Sequence, residues 1–428
     1  MGVVSCGTTM LDQGVFENIG AVTWNTTAKT SNFTATSGSG FFVNTTSGAI
    51  TVTLPSSPSA GDIVGIKDYA NTADTNAITI GRNGSNIQGD ASDYLITTEG
   101  RSVVLVYVDG TKGWLVTSAS QASDIQNPAF TTATGGTITT SGDFKIHTFT
   151  SPGTFCVSQV GNAPTVPAGG PSSVDYVVIA GGGSTGGGYF SGGAGAGGYR
   201  ESHNSTHSGC YTASPLATPT SLPISVQGYP ITVGAGGTGA TTNPSTPTPS
   251  KGSDSTFSTI TSTGGGQGGN DDASSVESGK PGGSGGGGQG SSGVGSGNTP
   301  PVSPPQGNNG GSGSSSPNSN RAGGGGGGAG AVGSNQSSGN GGAGGAGVTT
   351  SITASPVTRA GGGGGAAELG KTGGEGGSGG GGDGKSRGQP PGVAGSANTG
   401  GGAGAGGNEG SVGANGGSGV VIIRYKFQ

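Results

Sequence analysis

The sequence predicts an all-β chain made of two different materials: an N-terminal β-sandwich or small barrel module, then a glycine-rich domain of packed polyglycine type II helices bracketed by β-strands. Three observations predict it. Of 103 glycines in 428 residues, only 22 fall in the first 180 positions and the other 81 in the last 248. Residues 21–120 hold short apolar runs at roughly ten-residue spacing, with turn residues between them and no helical period. The glycine-saturated part starts directly after one strand-like run, "VDYVVIA", and stops directly before another, "VVIIRY".

Taken in order, residues 1–20 read as an N-terminal attachment segment without coiled-coil heptads. Residues 21–120 form the β module. There "GFFVNTTSGAITVTLP" sets two apolar runs around Thr45 to Gly48, and "SVVLVYVDGTKGWLVTS" sets two more around Asp109-Gly110, a strong hairpin signal. Residues 121–142, polar and Thr-rich with Pro128, read as a linker. Residues 143–180 supply a base: a hairpin expected around Ser151-Pro152-Gly153, then a buried-type strand over 174–180. Residues 181–419 are the glycine-rich domain with loop inserts of variable length, hence no fixed repeat. Residues 420–428 close it with a strand.

A third of the positions being glycine suggests collagen or disorder first. Collagen needs Gly at every third residue, and "GGGGGGAGAVG" has no such frame. Disorder is the default, because each glycine forfeits about 1 kcal/mol more backbone freedom than alanine on ordering. The third possibility is an array of extended threefold helices rising ~3.1 Å per residue, which bond only sideways. On that reading Gly323 to Gly328 span roughly 19 Å. Bare rods approach closely enough for lateral bonds of about 0.5 to 1.5 kcal/mol net each, and the bracketing strands nucleate the array. Interior rods are expected to be nearly pure glycine, with the "GGAGAGG" and "GGAGGAG" blocks outside.

Composition excludes several functions. Charged residues are 9% of the chain and the net charge is −5, so no basic stripe exists for nucleic acid. No apolar run approaches the ~20 residues of a membrane-spanning helix. "VVSC" at 3–6 resembles a lipoprotein cleavage box but lacks a basic and apolar leader before it. Gly365 to Thr372 and Gly379 to Ser386 both fit the phosphate-loop pattern G-x-x-x-x-G-K-S/T. A working phosphate loop leads into a helix, and "GGEGGSGGGG" cannot form one, so the two matches follow from glycine abundance. "GGQGGNDDA" comes near a calcium-binding repeat but puts Asn270 where Asp is required. His203 and His207 have i, i+4 spacing in a loop-like context, which favours a solvated loop over a metal site. Cys6, Cys156 and Cys210 are too few for a disulfide framework; a Cys156–Cys210 bridge and free thiols both stay open. No catalytic constellation and no cofactor site stands out, so the chain is not read as an enzyme.

The succession "VDYVVIAGGGSTGGG", "GGAGAGGYRES", "ITVGAGGTG", "SDSTFSTITSTGGGQGG", "VTRAGGGGGA", "NTGGGAGAGG" and "GGSGVVIIRY" spans about residues 174–425. It resembles the glycine-rich domain of bacteriophage tail-fibre and adhesin proteins, marine phage types above all; the inserts at 201–228 and 298–321 depart furthest from the pattern. "GFFVNTTSGAITVTLPSSPSAGDIVGIKDY" also looks like a β module of phage fibres. The resemblance implies a sandwich of polyglycine II helices with receptor-binding loops at the exposed end, on a virion. A rigid scaffold lets loops diverge, and aromatic, Arg and polar loop residues suit a surface receptor. Tyr189, Phe190, Tyr199, Arg200 and Tyr211 near the first glycine block, with Asn270, Asp271, Asp272, Asn308 and Asn309 on later inserts, are therefore the candidate receptor-binding residues. The expected partners are a host surface glycan or outer-membrane protein, other virion proteins through the N-terminal region, and two further copies in a homotrimer. The other reading is a virion structural element: a capsid decoration, knob or connecting fibre with no receptor role.

Overall fold

The computed structural model describes residues 4–5, 8–9, 22–120, 129–164, 169–240, 249–272, 275–290, 292–315, 321–407 and 412–428. The fold is all-β. Among the described residues the only helix is the single turn Ser205–Ser208. The chain divides into two compact units, Met1–Asn127 and Pro128–Gln428. Most of the 1–20 attachment segment lies outside the described residues.

In the first unit, strands pass alternately to two sheets. One sheet has the order Gly113–Ser120, Ser102–Asp109, Ile63–Asp68, Ser39–Val43, Thr23–Lys29; the other runs Phe33–Thr34, Ile50–Thr53, Ile78–Gly81, Tyr94–Ile96. Successive strands within a sheet pair in parallel, Thr23–Lys29 on Ser39–Val43 on Ile63–Asp68, and Phe33–Thr34 on Ile50–Thr53 on Ile78–Gly81. The chain therefore coils three times before antiparallel strands close each sheet. This corrects the hairpin expected around Thr45 to Gly48. That stretch is a corner between sheets, because Thr45 turns inward, is fully buried, and its hydroxyl bonds the Thr72 hydroxyl of the next coil at 2.8 Å. The Asp109-Gly110 hairpin forms as expected, with Asp109 Oδ1 accepting from the amides of Thr111 and Lys112. Alternate residues of both sheets, among them Phe41, Val52, Ile66, Ile80, Leu105 and Trp114, fill the space between them.

The second unit rests on a two-sheet base. Residues 173–179 and 420–426 pair antiparallel, from Asp175 opposite Arg424 to Ile179 opposite Val420. The two ends of the glycine segment are thus neighbours, as the bracketing pattern requires. Phe144–Phe149 adds to the other side of Val420–Lys426. The expected hairpin at 151–153 is corrected: Phe144–Phe149 lies in the seven-stranded sheet and Gly153–Gln159 in a five-stranded one. Splitting the pair lets Phe149 and Phe155 both point between the sheets, where they meet Tyr176, Tyr229, Phe257, Ile423 and Tyr425. The linker stretch is corrected too. Thr132–Thr134 and Thr137–Ser141 join the two sheets at their edges, and 121–128 lie outside the described residues.

Above this base stand the glycine rods. Along 191–198 the amides of Gly192, Gly195 and Gly198 donate to Gly269, Gly266 and Thr263; those of Gly193 and Ala196 to Gly324 and Gly327; those of Ala194 and Gly197 to Ala403 and Gly400, all at 2.8 to 3.0 Å. Three partners taken in strict rotation are the mark of three residues per turn. The carbonyls of the same rod accept from Ala180 and Gly183, from Ser284 and Gly287, and from Gly363 and Ala366. The rod is therefore bonded to six neighbours. The rods at 322–329 and 360–367 are surrounded in the same way.

Close approach is what demands glycine here. A β-carbon added at Gly193 would fall 2.0 Å from Gly363 O, and one at Gly325 1.9 Å from Ala343 O. The alanine expectation is corrected in part. Ala194, Ala196, Ala403 and Ala405 sit fully buried in interior rods, with Ala194, Ala403 and Ala414 gathered on one seam. The Ala194 methyl packs with those of Ala403 and Ala414, and Ala196 joins the apolar cluster at the base. Only the 341–347 block, with Ala346 exposed, fits the outer placement.

Gly325→Val destabilises the second unit by about 3 kcal/mol through overpacking, whereas Gly293→Ala, whose methyl meets only the Ser278 side chain at ordinary distance, leaves its calorimetric transition in place. His147, fully buried, donates from Nδ1 to Gly135 O (2.7 Å) and accepts at Nε2 from the Tyr425 hydroxyl (3.1 Å). Burial, aided by Lys145 and only partly offset by the Gly135 bond, holds its pKa below the ordinary 6.5. Below that value the unfolded chain takes up a proton that the folded chain refuses. Stability consequently falls as pH drops below 6.5, by at most about 1.4 kcal/mol per pH unit. Melting curves read against pH flatten there in His147→Gln.

Candidate functional site at the distal loop face

Rods alternate in direction, so their turns gather at two opposite ends. The base end carries Ile179, Tyr199, Val420 and the hairpin Val348–Thr350/Val357–Arg359. The distal end carries the turns near 186–190, 337–340, 368–372 and 387–391 and the strand pair Asn270–Asp272/Ser275–Glu277. This divides the sequence-predicted residues. Tyr189, Phe190 and the Asn270–Asp272 strand are distal; Tyr199, Arg200, Tyr211, Asn308 and Asn309 are basal.

Several of the basal residues are structural. Tyr199 is 1% exposed and its hydroxyl donates to Glu201 Oε2 at 2.8 Å. Burial, then the Glu201 charge, pushes that phenol well up. Glu201 also accepts from Ser214 N and from the Thr350 hydroxyl, which pins the 348–359 hairpin to the base. Tyr211 lies 5.1 Å from the Arg424 guanidinium, and the Phe144 ring lies 5.0 Å from the same group. Arg424 donates to the carbonyls of Ser208 and Ile352. Asn308 caps a rod through Gly328 O and Ala329 O. Arg200 is half-buried and Asn309 exposed. Tyr199 is corrected as a receptor contact, because the sandwich encloses it.

At the distal end, Phe190 takes a left-handed backbone conformation (φ +57°) that buries its ring at the array's rim. It is corrected as a direct contact, and so is Asn270, 3% exposed, whose Oδ1 accepts from Ser191 at 3.4 Å. Asn270–Asp272 pairs with Ser275–Glu277 in a two-stranded hairpin. Tyr189 remains half-exposed, 6.0 Å from Phe190. Arg387 covers the Tyr189 ring at 4.7 Å and pairs with Glu368 at 3.5 Å, while Arg321 stands 5.8 Å over Phe190. Cation–π contacts of this kind contribute about 0.5 to 2 kcal/mol each. Arg321, Glu368 and Arg387 were not among the sequence candidates. Their signal was position, since each charge sits just outside a glycine block and hence at a rod end.

The phosphate-loop matches do not make a cradle. The amides of Gly364 and Gly365 are spent on Gly382 O and Gly342 O, and Lys371 lies in an exposed turn. Thr372, Lys385 and Ser386 do share a groove of about 370 Å³, but Glu375 and Asp383 share it with them, and these carboxylates repel phosphate. His203 and His207 are held apart, His203 Nε2 at Gly209 O and His207 Nδ1 between the Ser221 and Ser173 hydroxyls. Asp175, buried beside them, accepts from Ser202, Ser208, Ser221 and Asn204 N. Among the described residues no group of three or more His, Cys, Asp or Glu could hold a metal ion. Cys156 and Cys210 are free and exposed.

A family model described as a glycine-rich domain matches residues 150–426. The chain belongs to the glycine-rich domain family. The glycine-rich domain so defined takes in the Gly153–Gln159 strand of the base, every rod and the whole closing strand Val420–Lys426. A comparison with curated proteins gives no match. With the rod amides already bonded, the glycine-rich domain is expected to show no saturable ATP binding by calorimetry; binding that disappears in Lys371→Ala/Lys385→Ala would reverse that conclusion.

Proposed function

We propose that the chain is a virion fibre or adhesin that recognises the host cell surface through the distal loops of its glycine array. The observation that supports this reading most is the separation of tasks between the two ends. Several basal residues, Tyr199, Glu201 and Tyr211 among them, are consumed by hydrogen bonds and ring contacts at the sandwich, whereas the distal loops bring Tyr189, Arg321, Glu368 and Arg387 from four separate inserts to one rim. Arg and Tyr are the side chains that dominate recognition hot spots. Rods locked on up to six sides hold such a rim still, so little ordering entropy is lost on binding.

The partners on this reading are a host surface glycan or outer-membrane protein, with other virion proteins held through the N-terminal region and three copies per fibre. The protein carries out no chemistry, so affinity and specificity are its whole output.

Saturable adsorption of the purified protein to candidate host cells tests the proposal. A Tyr189→Ala/Arg321→Ala/Arg387→Ala variant loses at least tenfold in adsorption, while Asn309→Ala at the base keeps it. Absence of adsorption together with labelling of the virion head would favour a capsid decoration instead.

A further inference from the structure

The outer face of the coiled sheet in the first unit carries an aromatic row that its core does not use. Trp24, on the edge strand, is opposite Gly40, and Gly40 is opposite Gly65 on the third strand. A β-carbon at Gly40 would lie 2.6 Å from the indole and one at Gly65 3.3 Å from it. The ring therefore rests on two bare backbone positions across neighbouring strands. Glycine inside a strand weakens it, and here two in register form the floor beneath one indole. Phe42 follows at 5.1 Å from Trp24, and Tyr69 at 6.4 Å from Phe42. Trp24 is 37% exposed and Tyr69 58%.

We propose that this row is a glycan-binding platform on which the C–H faces of neutral pyranose rings stack against Trp24 and Tyr69. The negative π face of an aromatic ring attracts weakly positive C–H groups. Thr26, exposed and two residues along the edge strand from Trp24, supplies a polar partner for sugar hydroxyls. Lys67, the cross-strand partner of Phe42, holds its ammonium on Gly100 O, so the polar group it offers is engaged with the backbone. Size argues against a protein occupant. The exposed aromatic area is on the order of 200 Å², far below the roughly 800 Å² per partner of a stable interface. The platform is separate from the distal loops and stands whether or not those bind.

The second tryptophan, Trp114, is fully buried, so ligand-dependent emission changes report Trp24. Titrating the full chain with cellohexaose, chitohexaose and maltohexaose, alongside an immobilised glycan panel, is expected to give a saturable emission change with at least one oligosaccharide. Calorimetry then shows at least a tenfold loss of affinity in Trp24→Ala, several-fold in Tyr69→Ala, partial retention in Trp24→Phe, and no change in Leu95→Ala, an exposed apolar residue on the other sheet of the same unit. Unchanged Trp114 emission certifies the fold of the Trp24 variants. The proposal is overturned if no glycan of the panel binds, or if binding survives Trp24→Ala/Tyr69→Ala. Concentration-dependent self-association abolished by Trp24→Ala would likewise overturn it, by making a second copy the occupant.

Discussion

An amide that points sideways from a helix with three residues per turn must find its acceptor on another segment. That single requirement governs the second unit. In an α-helix the chain satisfies itself; here each rod is satisfied only by its neighbours, so no rod is stable alone and the array orders as a body. Glycine makes this possible twice over. It removes the side chain that would hold rods apart, and it leaves both backbone groups open to lateral partners. The 191–198 rod, bonded to six others through alternating amides and carbonyls, is the clearest case.

Because glycine also loses the most entropy on ordering, the array needs a place to start. The pairing of Ser173–Ile179 with Val420–Lys426 provides it. Those strands belong to a conventional sandwich with a ring-lined interior, and the first and last rods leave it already in register. The buried anchors at the base, Glu201 on Thr350 and Arg424 on the Ser208 and Ile352 carbonyls, tie the long basal inserts down. Loops at that end are thereby structural, which leaves the opposite end to present side chains outward. The hydrophobic effect thus fixes the foot of the domain and backbone hydrogen bonding fixes its height.

Much of this was legible in particular residues. The runs "VDYVVIA" and "VVIIRY" announced a pair that closes on itself, and the absence of a triplet frame excluded collagen. Asp109-Gly110 gave a hairpin because its turn chemistry is local. Thr45 to Gly48 did not, because whether a turn ends in a hairpin or a corner depends on what Thr45 meets, and it meets Thr72 of a coil that the local sequence cannot display. Alanine placement was misjudged for a similar reason. Ala194 is tolerated inside the array by Ala403 and Ala414, which are about two hundred residues away in the chain. The candidate rim was half legible: Tyr189 could be picked out as a loop aromatic, but Arg387 over its ring arrives from a different rod.

The sequence by itself determined that the chain is all-β, that its second part is glycine bracketed by strands, and that no helix follows the lysines of the phosphate-loop matches. Those are properties of composition and short-range pattern, which any segment carries with it. Tertiary structure alone decided which rods stand inside, which of the predicted residues face solvent, and which end is spent on the base. A rod with no side chains has no sequence code for its neighbours; its partners are chosen by the packing of the whole array.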